Sequence, residues 1–277
     1  MTIEESIVRA LEEDLGDGDH TSLSTIPKDS KGKAHLIAKE DGVLAGLRIA
    51  EMVYKAVDPS TQFKALIKDG SEIKKGDIIF EVSGKSISIL SAERLALNYM
   101  QRMSGIATTT KEYVNLISGT KTTLLDTRKT TPLMRILEKE AVKLGGAENH
   151  RMGLYDMIMI KDNHVDFAGG IKNAIKACHE YLIKHNKQLK IEIEIRNFQE
   201  LEEVIAYGGI DRIMLDNFTP QDLAKAIKQI NGRFETEASG GITKESIRSY
   251  AETGVDFISV GALTHHIKSL DLSLKAI

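Results

Sequence analysis

Several features that would fix the location or the partners of a protein are scarce in this sequence of 277 residues. It has one cysteine, Cys178, which excludes an intramolecular disulfide and favours a reducing compartment. The net charge of −3 excludes the global basic field typical of nucleic-acid-binding proteins. No apolar run approaches the roughly 18 residues of a membrane span, and the first residues lack a signal-peptide pattern. We therefore expect a cytoplasmic protein that binds neither nucleic acid nor membranes.

The N-terminal part of the chain mixes helical and strand patterns. Thr2 and Glu5 have the spacing of a capping box, and apolar residues then recur at helical intervals up to Leu15, just before Gly16. Short apolar stretches between turn residues predict strands at 34–38, 78–82 and 87–90, with a helix at 49–57. Ser91 is predicted to cap another helix. Together these patterns predict a small α+β domain.

From about residue 120 onward, apolar runs alternate with helical stretches. The runs predict strands at 122–125, 157–160, 191–195, 212–215, 234–238 and 257–260. Repeated strand–helix units with right-handed crossovers form either a doubly wound sheet or an α/β barrel. No Gly-x-Gly-x-x-Gly pattern follows these strands, which argues against a dinucleotide-binding sheet. The barrel is therefore the favoured prediction for this half of the chain.

Nearly every predicted strand of this half ends in polar residues or glycine. The segments concerned are 126–129, 161–164, 216–217, 239–241 and 261–265. In a parallel barrel the C-terminal ends of the strands lie on one face, where active sites are built. The alternative is that these ends are polar simply because they are solvated, which suits one strand better than a whole series. We therefore expect these residues to surround one pocket.

The cations and glycines of these strand ends predict a site for a small polyanion. Arginine binds carboxylate and phosphate with two hydrogen bonds, and lysine acts as a mobile charge. The candidates are Arg128, Lys129, His150, Arg151 and Lys161. Glycine allows main-chain N–H groups to approach a phosphate. The corresponding residues follow the last two strands and are Ser239, Gly240, Gly241 and Gly261.

Carboxylates form the third part of the predicted site. Glu192 and Glu194 alternate with apolar neighbours, so both point to the same side of their strand, and Asp216 ends the next one. In a barrel interior they would lie beside the cations. Such groups can face Mg²⁺, bind ribose hydroxyls or stabilise a developing positive charge. Structural salt bridges to the lysines are the alternative.

These segments resemble the motifs of one enzyme family, the quinolinate phosphoribosyltransferases. The run LDTRKTTP at 125–132 is the most specific, and further matches lie at 12–16, 93–98, 149–154, 160–164, 215–218, 237–241 and 259–265. The resemblance implies a TIM-like α/β barrel with an incomplete strand count at 106–265. It also implies a smaller N-terminal α+β sandwich domain at 1–105, and a C-terminal segment, 266–277, that packs back on that domain.

The resemblance further implies an activity, which is the transfer of phosphoribosyl from phosphoribosyl pyrophosphate to quinolinate with decarboxylation, on the de novo route to NAD. This pentosyltransferase would use Mg²⁺, with Glu194 and Asp216 near the metal and the ribose. The implied catalytic residues are Lys129, Glu194 and Asp216. The implied quinolinate-binding residues are Arg128, His150 and Arg151. Contacts to the rest of the substrates are implied for Lys129, Lys161, Ser239, Gly240, Gly241, Gly261 and His265.

The same resemblance implies an oligomer and leaves some points open. Arg94 is expected to reach the neighbouring subunit's site in a homodimer, or in a hexamer built as a trimer of dimers. Leu133 and Arg196 depart from the family pattern, where glycine and an acid are usual. Use of nicotinate, a role beside molybdenum transport, and a non-catalytic phosphosugar sensor remain alternatives. Two arginines, Arg128 and Arg151, favour a substrate with two carboxylates.

Overall fold

Residues 2–277 are described by the computed structural model, and the N-terminal helix begins as the sequence predicts. Helix α1 (Ile3–Leu15) is capped by Thr2, whose hydroxyl accepts the N–H of Glu5. The Glu5 carboxylate accepts the N–H of Thr2 in return, which completes the capping box. Gly16 ends the helix with a φ of 52°. The predicted cap and both ends of this helix are therefore confirmed.

The described chain divides into two units. The first comprises the chain up to Lys111, Thr131–Gly146 and His266–Ile277, and the second comprises Glu112–Thr130 and Ala147–His265. The helices of the first unit are α1, α2 (His20–Thr25), α3 (Leu47–Val57), most of α4 (Ser86–Leu116) and α5 (Arg135–Leu144). Its strands are β1 (Lys31–Ala38), β2 (Gly42–Val43), β3 (Gln62–Ala65), β4 (Glu72–Ile73), β5 (Ile78–Lys85) and β12 (Leu272–Ala276).

The core of the first unit lies between an antiparallel sheet and helix α3. The sheet has the strand order β12-β1-β5-β3, and Leu36 of β1 lies opposite Phe80 of β5 and Leu274 of β12. Phe80 packs edge-on against Tyr54 of α3, with ring centroids 6.0 Å apart. Full burial of side chains of this size stabilises a fold by roughly 1.5–3 kcal/mol each. The predicted α+β character of the smaller domain is confirmed.

The predicted strand at 87–90 is wrong, because these residues form the first turns of α4, which begins at Ser86. Alternating isoleucines suggested a strand, but Ile89 and Ala92 are both buried, at helical spacing, in the core. Ser91 therefore lies within the helix and does not cap it. Among residues 2–277 no helix, α4 included, combines the length and the apolar character of a membrane span.

The second unit is built on one parallel sheet of six strands. These are β6 (Thr123–Leu125), β7 (Ile158–Ile160), β8 (Ile191–Ile195), β9 (Arg212–Asp216), β10 (Glu235–Ser239) and β11 (Phe257–Ser259). The strand order is β6-β11-β10-β9-β8-β7. The remaining helices are α6 (Asp162–Ala168), α7 (Ile171–Lys184), α8 (Phe198–Tyr207), α9 (Pro220–Ile230), α10 (Ile247–Ala251) and α11 (Ala262–His265). All six predicted strands are present, with their ends shifted by no more than a residue.

The sheet of the second unit is short of a complete barrel, as predicted. Within residues 2–277 its two outer strands are β6 and β7, which do not pair with each other. The segment that precedes β7 is held by one main-chain bridge and one side-chain hydrogen bond instead. Glu148 forms a parallel bridge with Leu125 of β6, and the Arg151 guanidinium donates to the Met157 carbonyl just before β7. The segment 148–157 therefore passes from one outer strand to the other.

Candidate active site

One cavity of the second unit, about 700 Å³ in volume, lies where the C-terminal ends of the six strands meet. This is the face on which α/β barrels build active sites. Lys129, Arg151, Glu194 and Gly261 all line it, although they are far apart in the sequence. The full lining is Thr127, Arg128, Lys129, His150, Arg151, Met159, Lys161, Glu194, Met214, Asp216, Ser239, Gly240, Gly241, Ile242, Thr243, Ser259, Val260, Gly261, Ala262 and His265.

Two arginines lie close together in this lining. Arg151 is held by its bond to the Met157 carbonyl, with a distance of 3.2 Å between Nη1 and the oxygen. Burial, and after it the nearby positive charge of Arg128, lower the pKa of Arg151. A like-charged pair in a partly buried place is unfavourable until an anion binds between the charges. The pair is therefore suited to a ligand that carries more than one negative charge.

The glycine turns after β10 and β11 form a second region of the cavity wall. Gly240 and Gly241 have φ values of +97° and +60°, which glycine adopts without strain. A Cβ on Gly261 would lie 2.8 Å from His265 Nε2 and 3.0 Å from Lys129 Cδ. The backbone at Gly261 thus passes directly between two side chains that can bind an anion. Exposed N–H groups of such turns commonly bind phosphate.

Lys129 reaches this region from a fixed main chain. Its carbonyl accepts a hydrogen bond of 2.7 Å from the Thr264 hydroxyl, and its N–H donates to the Thr127 hydroxyl. The end of β6 is thereby tied to the turn after β11. Because the backbone is held, the flexible part of Lys129 is its side chain, which can follow a ligand.

Lys161, Glu194 and Asp216 line another part of the cavity. Lys161 Nζ lies 3.2 Å from Glu194 Oε2. Burial, and after it the charge of Glu194, raise the pKa of Asp216, while Lys161 and the hydrogen bond from Asn217 oppose the rise. Two carboxylates that influence each other in this way offer oxygen ligands of the kind that Mg²⁺ prefers. The same two groups can stabilise positive charge on a ligand beside them.

A buried ionic cluster lies beneath the cavity and consists of His150, Glu192, Arg212 and Glu237. His150 Nε2 is 3.0 Å from Glu192 Oε2 and 3.4 Å from Glu237 Oε2. Arg212 Nη1 is 2.9 Å from the same Glu237 oxygen, and its guanidinium lies 3.9 Å above the Phe257 ring. Both glutamates are completely buried. Such charges are tolerated inside a protein only when they are paired.

The protonation states in the ionic cluster depend on one another. Burial lowers the pKa of His150, but Glu192 and Glu237 outweigh it and raise the pKa to about 9. Burial, and after it the charge of Glu237, raise the pKa of Glu192 to about 7. Burial acts to raise the pKa of Glu237 as well, but His150 outweighs it and the net shift is downward. The main-chain N–H of Arg151 donates to His150 Nδ1 at 2.7 Å and opposes a second ring proton.

His150, Glu192 and Glu237 are close enough to one another to hold a metal ion. The bond from Arg151 to Nδ1 requires the proton of the neutral ring to be on Nε2, and the charged ring carries a proton there as well. Nε2 is therefore occupied by hydrogen in either form. Arg212 already supplies the positive charge that Glu237 needs. This cluster is therefore a set of ion pairs, and Glu194 and Asp216 are the carboxylates of the cavity that could offer oxygen ligands to a divalent cation.

Sequence reasoning missed several residues around the cavity. The sequence patterns do not predict the ionic cluster, because they place Arg212 and Glu237 within strands and Glu192 beside Glu194 on the same strand. Ser259 also lines the cavity and donates to the Ser239 hydroxyl at 3.1 Å. A signal for it existed, because Ser259 is the first residue of the family match at 259–265. The apolar lining residues Met159 and Met214 gave no signal beyond their place in strands.

Three residues named from the family resemblance lie elsewhere. Arg94 is on α4 in the first unit, with its side chain exposed. Leu133 has a φ of 66° and is exposed, so it adopts the left-handed conformation that glycine favours. Arg196 forms surface ion pairs with Glu200 and Asp166, at 2.7 Å and 3.3 Å. Arg196 therefore forms surface ion pairs that connect α6 and α8 in the second unit.

A parallel α/β sheet that brings cations, carboxylates and glycine turns to one cavity defines an enzyme for phosphorylated, anionic substrates. Comparisons with known proteins agree. Models of the quinolinate phosphoribosyl transferase N-terminal and C-terminal domains match residues 19–104 and 106–275. The chain therefore belongs to the quinolinate phosphoribosyltransferase family.

Individual relatives show how far the similarity extends. A tobacco (Nicotiana tabacum) protein named quinolinate phosphoribosyltransferase [decarboxylating] 1b is 47% identical, over 96% of this chain and 80% of its own. An Arabidopsis thaliana protein named nicotinate-nucleotide pyrophosphorylase [carboxylating], chloroplastic, is 48% identical over the same shares. The solved structure of the nicotinate-nucleotide pyrophosphorylase from Francisella tularensis superposes with a TM-score of 0.93. It is 41% identical and covers 99% of this chain and 96% of its own.

Proposed function

We propose that this chain transfers the phosphoribosyl group of phosphoribosyl pyrophosphate to quinolinate. The products would be nicotinate mononucleotide, pyrophosphate and CO₂. The observation that carries the proposal is the single cavity, in which paired arginines, glycine turns and two carboxylates face one another. Family membership supports the same reaction, because relatives carry names for it from both directions, decarboxylating and carboxylating.

The two carboxylates of quinolinate would be bound by Arg128 and Arg151, with His150 at the cavity wall beside them, its ring nitrogens engaged by Glu192 and by the Arg151 N–H. Two guanidinium groups that repel each other in the free site gain most from a dianion, which favours quinolinate over nicotinate. The 5′-phosphate would bind the glycine turns, where main-chain N–H groups are available. The residues at that end are Ser239, Gly240, Gly241, Gly261 and His265.

The chemical step would begin when the pyridine nitrogen attacks the anomeric carbon of the ribose. The bond from that carbon to pyrophosphate breaks, and positive charge develops on the sugar. Glu194 and Asp216 would stabilise this charge electrostatically, as preorganised groups do in catalysis. Lys129 would follow the charge that moves onto the leaving pyrophosphate, because its backbone is fixed and its side chain is free to move.

Decarboxylation would follow from the charge that the first step creates. After attack, the ring nitrogen is cationic and would stabilise electrostatically the carbanion left on the adjacent ring carbon when its carboxylate leaves as CO₂, and a proton from water would then bind this carbon to give nicotinate mononucleotide. Arg128 and Arg151 would have to hold this carboxylate without stabilising its charged form so strongly that CO₂ cannot leave. Restricting water around this carboxylate would favour its loss.

Magnesium would act together with Glu194 and Asp216. When bound, it would neutralise the pyrophosphate charge and make this group a better leaving group. The two carboxylates fit such a role because they influence each other at the cavity wall and have oxygen ligands to offer, either directly or through water and substrate.

Arg94, the oligomer and the location belong to this proposal as well. Arg94 is exposed on α4, which leaves it available to a neighbouring subunit in a homodimer or a trimer of dimers. Light scattering would measure the oligomeric state. Mixing an Arg94→Ala variant with a Lys129→Ala variant would test whether two subunits share a site. Activity should partly return in the mixture if sites are shared.

A cytoplasmic location is expected from the sequence, although the Arabidopsis relative is named chloroplastic.

The direct test is to incubate the protein with quinolinate, phosphoribosyl pyrophosphate and Mg²⁺. Mass analysis should detect nicotinate mononucleotide, and released CO₂ should equal it mole for mole. Turnover of nicotinate without CO₂ would favour the non-decarboxylating alternative. Tight binding without any product would favour a phosphosugar sensor. Either result would overturn the proposed reaction.

A further inference from the structure

Asn217 lies at the junction of the carboxylate and phosphate regions, and its backbone conformation is uncommon. It follows Asp216, the last residue of β9, and has a φ of 57°. Few residues other than glycine adopt this left-handed conformation, and asparagine is one that does. The N–H of Asn217 donates to the Ser239 carbonyl at 2.9 Å. The chain after β9 is therefore attached to the end of β10.

The side chain of Asn217 turns back toward the cavity carboxylate. Its Nδ2 donates to Asp216 Oδ2 at 2.5 Å. Within residues 2–277 no other side chain donates a hydrogen bond to Asp216. Hydrogen bonds to a charged partner are stronger than neutral ones and restrict its orientation. Asn217 thus determines which Asp216 oxygen remains available to a ligand.

The same side chain also explains the glycine at position 240. A Cβ on Gly240 would overlap Asn217 Oδ1 and would lie 2.7 Å from Asn217 Cγ and 2.9 Å from the Asn217 main-chain nitrogen. Real Cβ atoms do not make contacts this short, so any larger residue would displace the amide. The positive φ of Gly240 adds a second, independent demand for glycine. The amide of Asn217 therefore fills the space between Asp216 and the phosphate turn.

We propose that Asn217 is a positioning residue that orients the Asp216 carboxylate for the reaction, and that the Asn217 amide occupies most of the side-chain space at Gly240. This inference rests on the proposed function only for its kinetic consequence. The packing consequence can be measured without any substrate. Asn217 itself need not touch the ribose, since it acts through Asp216.

The kinetic test uses Asn217→Gly, which keeps the left-handed backbone and removes only the amide. Losing a hydrogen bond to a charged group should lower kcat about 10- to 100-fold. The KM for quinolinate should stay close to normal, because the arginines are unchanged. Asn217→Asp keeps the shape but cannot donate when ionised, and it should be at least as slow. Normal kcat in Asn217→Gly would overturn the positioning role.

Asn231 offers a matched control for backbone effects. It also has a positive φ, 50°, at the C-terminal end of α9, and it does not line the cavity. Asn231→Gly should leave kcat unchanged, and both glycine variants should melt close to the wild-type temperature. Equal losses of kcat in the two variants would mean that a general backbone effect is responsible, and this too would overturn the proposal.

The packing test is a double-mutant cycle in thermal unfolding, which needs no activity. Gly240→Ala should lower the melting temperature clearly in the wild-type background and less in the Asn217→Gly background, because the amide is gone. Some loss should remain in both, since the positive φ of residue 240 and its close contact with the main-chain nitrogen of residue 217 are unchanged. If the loss is the same in both backgrounds, Asn217 does not occupy the space. If the wild type makes no product, the proposed function fails, yet this cycle still decides the packing claim.

Discussion

Glu192 and Glu194 stand two residues apart on the same strand and point the same way, yet they have opposite surroundings. Glu192 is completely buried and lies against His150 in the ionic cluster. Glu194 keeps part of its side chain accessible and pairs with Lys161 at the cavity. Two residues along the strand, about 6–7 Å, separate two layers of charged residues. The closed layer is the ionic cluster of His150, Glu192, Arg212 and Glu237, and the open layer consists of the charged residues at the cavity, Lys129, Lys161, Glu194 and Asp216.

Charged residues inside this sheet therefore serve two purposes. In the closed layer the ions neutralise each other, and removing one leaves an unpaired buried charge. In the open layer the ions meet a cavity and can exchange a protein partner for a ligand. Variants of the closed layer should therefore lose stability first, and variants of the open layer should lose turnover first.

The largest effect is expected from Glu237→Gln in the closed layer. The change leaves Arg212 and His150 without their shared buried partner. Breaking a buried pair in this way costs about 3–5 kcal/mol of the free energy of unfolding. Urea denaturation followed by circular dichroism would measure it. A loss below about 1 kcal/mol would show that the cluster does not support the fold.

A loss of turnover is expected from Lys129→Ala and from Glu194→Ala in the open layer. Removing a group that stabilises charge in the transition state should lower kcat by about 100- to 1000-fold. The free energy of unfolding should fall by no more than about 1 kcal/mol, because both side chains border the cavity. Lys172→Ala, at an exposed position of α7, is a control that should change neither quantity. Normal kcat and KM in either active-site variant would remove that residue from the proposed mechanism.

The closed layer should also make stability depend on pH. The folded state raises the pKa of Glu192 from 4.5 to about 7 and of His150 from 6.5 to about 9, so it keeps protons that the unfolded chain releases. The free energy of unfolding should therefore fall as pH rises through 4.5–7 and again through 6.5–9. Glu237 acts in the opposite direction at lower pH, because its pKa is lowered. His150→Asn should flatten the slope between pH 6.5 and 9, and an unchanged slope would contradict the assigned charge pairing.

The smallest effect is expected from Glu235→Gln, at the border of the closed layer. Glu235 contacts the same arginine as Glu237, with 3.1 Å between Arg212 Nη2 and Glu235 Oε2, but its side chain is 38% exposed. Solvent screens such pairs, so the loss should be below about 1 kcal/mol. This variant differs from Glu237→Gln only in depth on the same strand. Equal losses in the two would mean that depth does not matter here.

The open layer could be predicted from the sequence, and the closed layer could not. Polar residues at the ends of apolar runs indicate the open layer, since parallel strands bring their C-terminal ends together. In the closed layer the partners of His150 come from β8 and β10, and no local pattern links them. Arg212 begins a strand, and from the sequence alone it resembles a solvated strand end.

The wrong strand at 87–90 and the unusual backbone at Leu133 each have a local physical cause. The isoleucines at 87 and 89 suggested a strand, and only burial against the rest of the core makes them part of α4. Leu133 departs from the family pattern, in which glycine is usual, and its left-handed backbone gives the physical reason why glycine suits that position. The strain at Leu133 cannot be derived from residue type, because the sequence does not reveal φ.

Helix α4 runs without interruption from Ser86 to Leu116, and the border between the two units falls inside it, after Lys111. The first unit is also assembled from three separate stretches of the chain. No single cut can therefore release either unit whole, and a truncation near residue 105 would divide a continuous helix. Exchange of one unit between relatives would therefore have to replace several separate segments of the chain.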